Sequence, residues 1–255
     1  MSLTIPTFES GPIIGPAAQP RQSIYEESAT QQYALGTKYI TSDGRIFRYC
    51  KNGADALGKA KMLQTQVVQT KLLEVAQTGH AQVAGATEIT VLVTTGSALA
   101  DNALVGGTIW FNKTGNLGES YKIVASKLQS TDTLLDLVLD TPLRAAVDAT
   151  SEMSIIPSKY YGVVVFPTST TGSPVGIPLI AVTASYWFWA QSGGDAPLLV
   201  DGGETVVIGN AIGAPGTYAT AGAGGVWVTL TPQWGTCRSV NAADEYCSID
   251  LILDR

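Results

Sequence analysis

The chain has 255 residues, with 15 Lys and Arg against 21 Asp and Glu, one His and three Cys, for a net charge of −6. Negative charge without a basic block argues against nucleic-acid binding, which needs clustered Lys and Arg, and no run approaches the roughly 18 apolar residues of a membrane-spanning helix. Charged residues make up only 14% of the chain, against about 25% in an average soluble domain, so Ser, Thr, Gln, Asn and Gly form a surface of low charge density.

At about 100–200 residues per domain, the length suits one large or two small domains, enough to bury a core without disulfides or metals. The opening Met1-Ser2-Leu3-Thr4 has neither the basic nor the apolar region of a signal peptide, so synthesis in the cytoplasm is expected.

Residues 1–35 read as an extended N-terminal arm. Pro6, Pro12, Pro16 and Pro20, with Gly11 and Gly15, interrupt it too often for a helix or central strand. It nevertheless carries Phe8, Ile13, Ile14, Ile24 and Tyr25, spaced apolar anchors suited to lying across another surface. Residues 36–63 read as a β-hairpin plus a short helix. Asp43-Gly44 supplies the turn between two β-rich runs, and Asp55 is a candidate N-cap for a helix weakened by Gly58. A second helical turn is expected near Pro142–Asp148.

Residues 64–160 form a first β-domain by this reading. Ile89–Val93, Gly107–Asn112, Ser120–Val124, Leu134–Leu139 and Met153–Ile156 are short β-rich runs separated by Gly, Ser and Asn turns. Residues 161–255 form a second, with strands at Val163–Phe166, Gly176–Val182, Ser185–Gln191, Leu198–Val200, Val206–Gly209, Gly225–Leu230 and Ser248–Leu253. Asp201-Gly202-Gly203 reads as a hairpin turn between two of these. The expected fold is all-β: an extended arm followed by two small barrels or sandwiches with at most one or two short helices.

No catalytic arrangement stands out, and the chain is not expected to be an enzyme or to hold a metal or cofactor. Ala221-Gly222-Ala223-Gly224-Gly225 lacks the Lys-Ser/Thr of a phosphate loop, and no Gly-x-Ser-x-Gly elbow occurs. His80, the single histidine, lies in a turn-like Thr78-Gly79-His80 and leaves a Ser or Cys nucleophile without a distinct base. Cys50, Cys237 and Cys247 lack zinc-ligand spacing and read as buried free thiols, with a Cys237–Cys247 pairing as the alternative. Tyr186-Trp187-Phe188-Trp189 puts aromatic rings on both faces of a strand, so both faces need cover. Core on one side and a subunit interface on the other satisfies that, and a sugar-stacking platform is the competing reading.

Three blocks resemble structural proteins of tailed bacteriophages. They are Ala34–Tyr39 with Asp43–Tyr49 and Gly53–Lys59; Ser120–Ile123 with Leu137–Leu143; and Tyr186–Ala196 with Val200-Asp201-Gly202. The resemblance, to head decoration or cement proteins, runs from about residue 34 onward. It implies a virion protein on the outer capsid surface that binds the major capsid protein, commonly as a homotrimer. Phe8, Ile13, Ile14, Ile24, Tyr25, Trp187 and Trp189 are the candidate interface residues. The alternative is a tail or head-fibre component that binds host glycans through Trp187, Trp189 or Trp227, and a virion-borne glycosidase is a more distant one.

Overall fold

A computed structural model describes residues 13–14, 21–94, 99–113, 117–130, 133–215, 220–239, 242 and 244–254. Strand accounts for 42% of it, and of its two sheets one is a half-barrel and the other nearly closes into a barrel. Among the described residues, those in 68–158 form one compact unit, while 13–14, 21–67 and those from 159 to 254 together form the other. The hairpin segment near the N-terminus shares its unit with the C-terminal part of the chain.

The first strands of that unit are β1 (Ile13–Ile14), β2 (Lys38–Ile40), β3 (Ile46–Lys51) and β4 (Leu63–Gln64). β2 and β3 form the hairpin expected around Asp43-Gly44, with Lys38 opposite Arg48 and Ile40 opposite Ile46. Gly44 takes φ +85° there, a left-handed conformation that costs glycine nothing. β1 adds to the other side of β2 in parallel, Ile13 opposite Tyr39 and Ile14 opposite Ile40. No helix forms between Asn52 and Gln64. The amides of Leu57, Ala60 and Met62 donate instead to the carbonyls of Val182, Pro178 and Gly222, and Ala60 sits at φ +55°. Burying Leu57, Met62 and Leu63 against three separate segments outweighs a weak local helix preference.

In the 68–158 unit, a 3-10 turn at Thr70–Leu72 precedes β5 (Val75–Ala76), β6 (Glu88–Leu92), β7 (Thr108–Lys113), β8 (Ser120–Leu128), β9 (Leu134–Leu139) and β10 (Glu152–Ile156). They make one antiparallel sheet in the order β5-β10-β7-β8-β9-β6. Period-two alternation turns Ile89, Val91, Ile109, Phe111, Leu135, Leu137, Met153 and Ile155 into a single core. Pro142–Asp148 forms no helix. Leu143 and Val147 donate their amides to Ala86 and Gln82 and bury their side chains in this core.

The remaining strands are β11 (Val164–Val165), β12 (Pro174–Pro178), β13 (Trp187–Leu199), β14 (Ala211–Gly213), β15 (Gly225–Val226), β16 (Gln233–Cys237) and β17 (Tyr246–Ile252). β13 is the spine, pairing with β3 through Trp187–Gly193 and with β17 through Gly193–Leu199. The two runs expected at 185–191 and 198–200 are thus one strand. Val206–Gly209 is not a strand, and Asp201–Gly203 closes no hairpin. Buried Asp201 instead accepts from Gly203 N at 3.2 Å and Thr220 N at 2.9 Å, tying two loops together.

The strands pack closely where glycine permits. A Cβ on Gly235 of β16 would lie 2.3 Å from the Asp250 carbonyl oxygen of β17, backbone that cannot rotate away. Gly235→Ala is expected to cost about 1–3 kcal/mol through forced strand separation, read as a lower denaturant midpoint at unchanged m-value.

Candidate interaction surface

The aromatic block on β13 is covered from within the chain. Trp187 and Trp189 share one face with Tyr33, Tyr49 and Ile24. Trp189 lies 5.0 Å from the Tyr49 ring and 5.3 Å from Tyr33, and Tyr49 stacks on Trp187 at 6.0 Å. Phe188 and Ala190 point the other way, into a cluster with Cys50, Leu63 and Val175. The strand needs cover on both faces, and its own unit provides both.

Segment 21–35, which the sequence places in the extended arm, is part of that cover. Gln22 organises it: its Nε2 donates to Trp187 O at 2.8 Å, its Oε1 accepts from Tyr49 OH at 2.7 Å, and its carbonyl accepts from Trp189 Nε1 at 2.9 Å. Ser28 and Trp187 exchange backbone hydrogen bonds at 2.8 and 2.9 Å.

The candidate interface residues therefore separate. Trp189 is fully buried and Trp187 and Ile24 are each 9% exposed, so their area is used inside the unit. Lys51 Nζ, 5.3 Å from the Trp187 ring, lies over what remains. Tyr25 is 60% exposed. Ile13 and Ile14 are placed by their backbone pairing with β2, and Phe8 lies outside the described residues. Of the three tryptophans considered for sugar stacking, only Trp227 presents a surface, at 37% exposure.

A second surface surrounds β14 and went unnoticed in the sequence. From Thr205 to Cys237 the chain contains no Asp, Glu, Lys, Arg or His. This stretch carries Leu230 at 99% exposure, Ile208 at 65% and Val207 at 55%, beside Trp227 and Val228. Register brings the 207–209 turn and Trp227 to one end of β14, while Thr231, next to Leu230, reaches Ala214 at the other. Trp227 N donates to Ala211 O and Cys237 N to Asn210 O, so the 207–209 turn and Trp227 meet at the same end of β14.

Residues 227–232 then cross back along β14. A Cβ on Gly213 would come within 2.7 Å of the Trp227 ring and 2.6 Å of Pro232 O. The loop is braced by hydrogen bonds from Trp227 Nε1 to Thr231 O at 2.7 Å and from Thr231 Oγ1 to Ala214 O at 2.9 Å. At its tip Leu230 is held at φ +75°, a left-handed conformation that costs a leucine about 1–2 kcal/mol.

Each unit also carries a polar depression among its described residues. In the 68–158 unit a groove of about 770 Å³ is lined by Gln82, Glu88, Thr90, Lys127, Gln129 and Asp136 among others. Its polar groups bind one another: Asp136 Oδ1 accepts from Thr90 at 2.7 Å and Gln129 at 2.8 Å, and Gln82 Nε2 donates to Thr90 O. In the other unit, a depression of about 600 Å³ joins Asp43, Arg45, Asp195, Arg238 and Asp250. Arg45 pairs with Asp43 at 2.8 Å and Arg238 with Asp195 at 3.3 Å. The Thr41 hydroxyl and the Arg45 guanidinium hold Asp43 below the usual carboxylate range, the opposite of what a general acid needs.

His80 closes a turn, its amide donating to Gln77 O at 3.0 Å. All three cysteines are free and buried; burial pushes Cys247 up to about 11, and Cys237 and Cys50 upward as well. Among the described residues no group of three or more His, Cys, Asp and Glu is placed to hold a metal ion, and no helix is long and apolar enough to cross a membrane. Compared with known proteins, the chain matches no family model, no curated protein and no solved structure.

Proposed function

We propose that the chain is a capsid decoration, or cement, protein of a tailed bacteriophage. In this reading it binds the outer surface of the head, bridges neighbouring copies of the major capsid protein and associates with further copies of itself. The observation that carries the reading is the N-terminal arm, which joins a sheet edge through main-chain pairing at Ile13–Ile14. Strand addition suits an extended, proline-interrupted segment because backbone hydrogen bonds supply the contact and few residues cover a long path. Phe8, Ile13, Ile14 and Tyr25 are the arm's capsid-facing or inter-subunit anchors on this view.

A clamp across capsomer joints needs area, and stable contacts bury about 1,200–2,000 Å² in total. Low charge density reduces the desolvation cost of covering such faces. A ligand that binds only the assembled shell stabilises it by mass action.

Deleting residues 1–20 tests this, because the cut stops before Gln22 and spares the aromatic cluster. The truncated chain is expected to keep its circular dichroism spectrum and to lose at least about tenfold in affinity for heads lacking the chain. Cosedimentation with purified heads measures it. Undiminished occupancy would remove the arm from the mechanism, and a full-length chain that ignores heads altogether would remove the reading.

A further inference from the structure

Two of the three cysteines meet on neighbouring strands. Cys237 stands opposite Ile249 across the β16–β17 pair, and Cys247 opposite Leu198 across the β17–β13 pair. Cys247 and Ile249 share a face of β17 by period-two alternation, so both thiols point to the same side of the sheet, and both are buried in one apolar cluster. The ladder is irregular just there. Ser248 O accepts from Arg238 N at 2.8 Å and also from Ser239 N at 3.3 Å, the pattern of a β-bulge, which bends a strand and sharpens its twist. At this corner the two thiols hydrogen-bond one another. Cys50 gives the contrast: it lies in a different cluster with no second cysteine, and donates to Arg48 O at 3.4 Å.

We infer that Cys237 and Cys247 are a redox pair, reduced in the folded chain and able to close into a disulfide that fastens β16 to β17 when the surroundings turn oxidising. Packing alone accounts for two small apolar side chains, but not for two sulfurs in contact on paired strands. The co-reactant is a low-molecular-weight disulfide. One cysteine, as its thiolate, attacks a sulfur of that disulfide, forming a mixed disulfide and expelling a small thiolate, which takes up the proton released. The second cysteine then loses its proton, attacks the protein sulfur of the mixed disulfide and expels the other small thiolate, which takes up that proton. The two protein thiols are thereby oxidised to one disulfide, and the small disulfide is reduced to two thiols. Burial pushes Cys247 up to about 11 and raises Cys237 as well, so thiolate is scarce at neutral pH and closure is slow. Since β17 pairs with the spine strand β13 and β16 leads on to β14 and β15, the bond ties the outer strands of the sheet to its middle. The inference goes beyond the decoration reading: a chain that ignores heads can still close the bond, and one that never closes it can still bind them.

The full-length chain, purified reduced, tests it when held folded in oxidised glutathione, then denatured, alkylated and mapped by mass spectrometry. Alkylation is expected at one cysteine, Cys50, where the reduced chain offers three, with the peptides carrying Cys237 and Cys247 joined. The closed chain should melt about 5 °C higher, because the bond restrains the 237–247 loop in the unfolded state. Cys247→Ala should form no internal bond, and oxidant should not raise its melting temperature. A folded chain that keeps all three thiols, a bond made to Cys50 or to a second molecule, or a closed chain that melts lower than the reduced one overturns the inference.

Discussion

Trp189→Ala is expected to lower the stability of the chain by about 3–5 kcal/mol, a large fraction of the roughly 5–15 kcal/mol that holds a typical domain folded. The indole is fully buried and touches the rings of Tyr33, Tyr39 and Tyr49 at centroid distances of 5.0–5.7 Å. Truncation leaves a cavity between β3 and segment 21–35 and strips the Gln22 carbonyl of its donor. Trp227→Ala is the control. That ring is 37% exposed, so its loss should cost less than half as much. Urea unfolding followed by far-ultraviolet circular dichroism measures both. Equal effects would mean that the cluster is not the core described. Extending the N-terminal deletion from residue 20 to residue 33 should reproduce much of the Trp189 loss, because it removes Gln22, Ile24 and Tyr33 together.

The contrast between those deletions shows where local signals were sufficient and where they were not. Asp43-Gly44 is legible because a hairpin turn needs a left-handed residue, and Gly44 provides it where it is expected. The alternation in Ile89–Leu92 and in Ile109–Phe111 is legible because one face of that sheet is core. Segment 21–35 is different: it forms almost no regular structure, and what orders it includes Gln22, whose side-chain amide and main-chain carbonyl together reach three groups on β3 and β13. No periodicity records such a contact.

Gly193-Gly194 falls in the gap between the two expected runs at 185–191 and 198–200, yet β13 passes through it. The pair instead lets the strand bend in place, with Gly194 at φ +78° and Asp254 O at 2.8 Å from a Cβ on Gly193.

The second large effect concerns acid. Asp254→Asn is expected to cost about 2 kcal/mol at neutral pH, and the penalty should shrink as pH falls. Asp254 takes a two-pronged ion pair from Arg48, with Nη2 to Oδ1 at 2.8 Å and Nε to Oδ2, and Ser192 Oγ donates at 3.2 Å. The two partners are 21% and 19% exposed, so solvent screening is limited. Burial pushes the Asp254 carboxyl upward, but the hydrogen bonds and charge of Arg48, with Ser192 and the nearby charge of Lys38, outweigh it and leave the group below its ordinary value.

A carboxylate depressed in the folded state binds its proton more readily in the unfolded chain. Its contribution is therefore complete above the unfolded value of about 3.9 and is lost as pH falls through the folded value. Wild type and Asp254→Asn should accordingly differ most at neutral pH and converge only as pH falls below the ordinary carboxylate range, the variant giving the flatter profile. Lys159 does not produce this slope, since burial lowers it, against the opposing charge of Asp254, from a value far above the window. Denaturant midpoints at several pH values measure the difference. A constant gap between the two curves would mean that Asp254 contributes through packing and not through its charge, and the clasp between β3 and the C-terminal end of β17 would then owe nothing to ionisation.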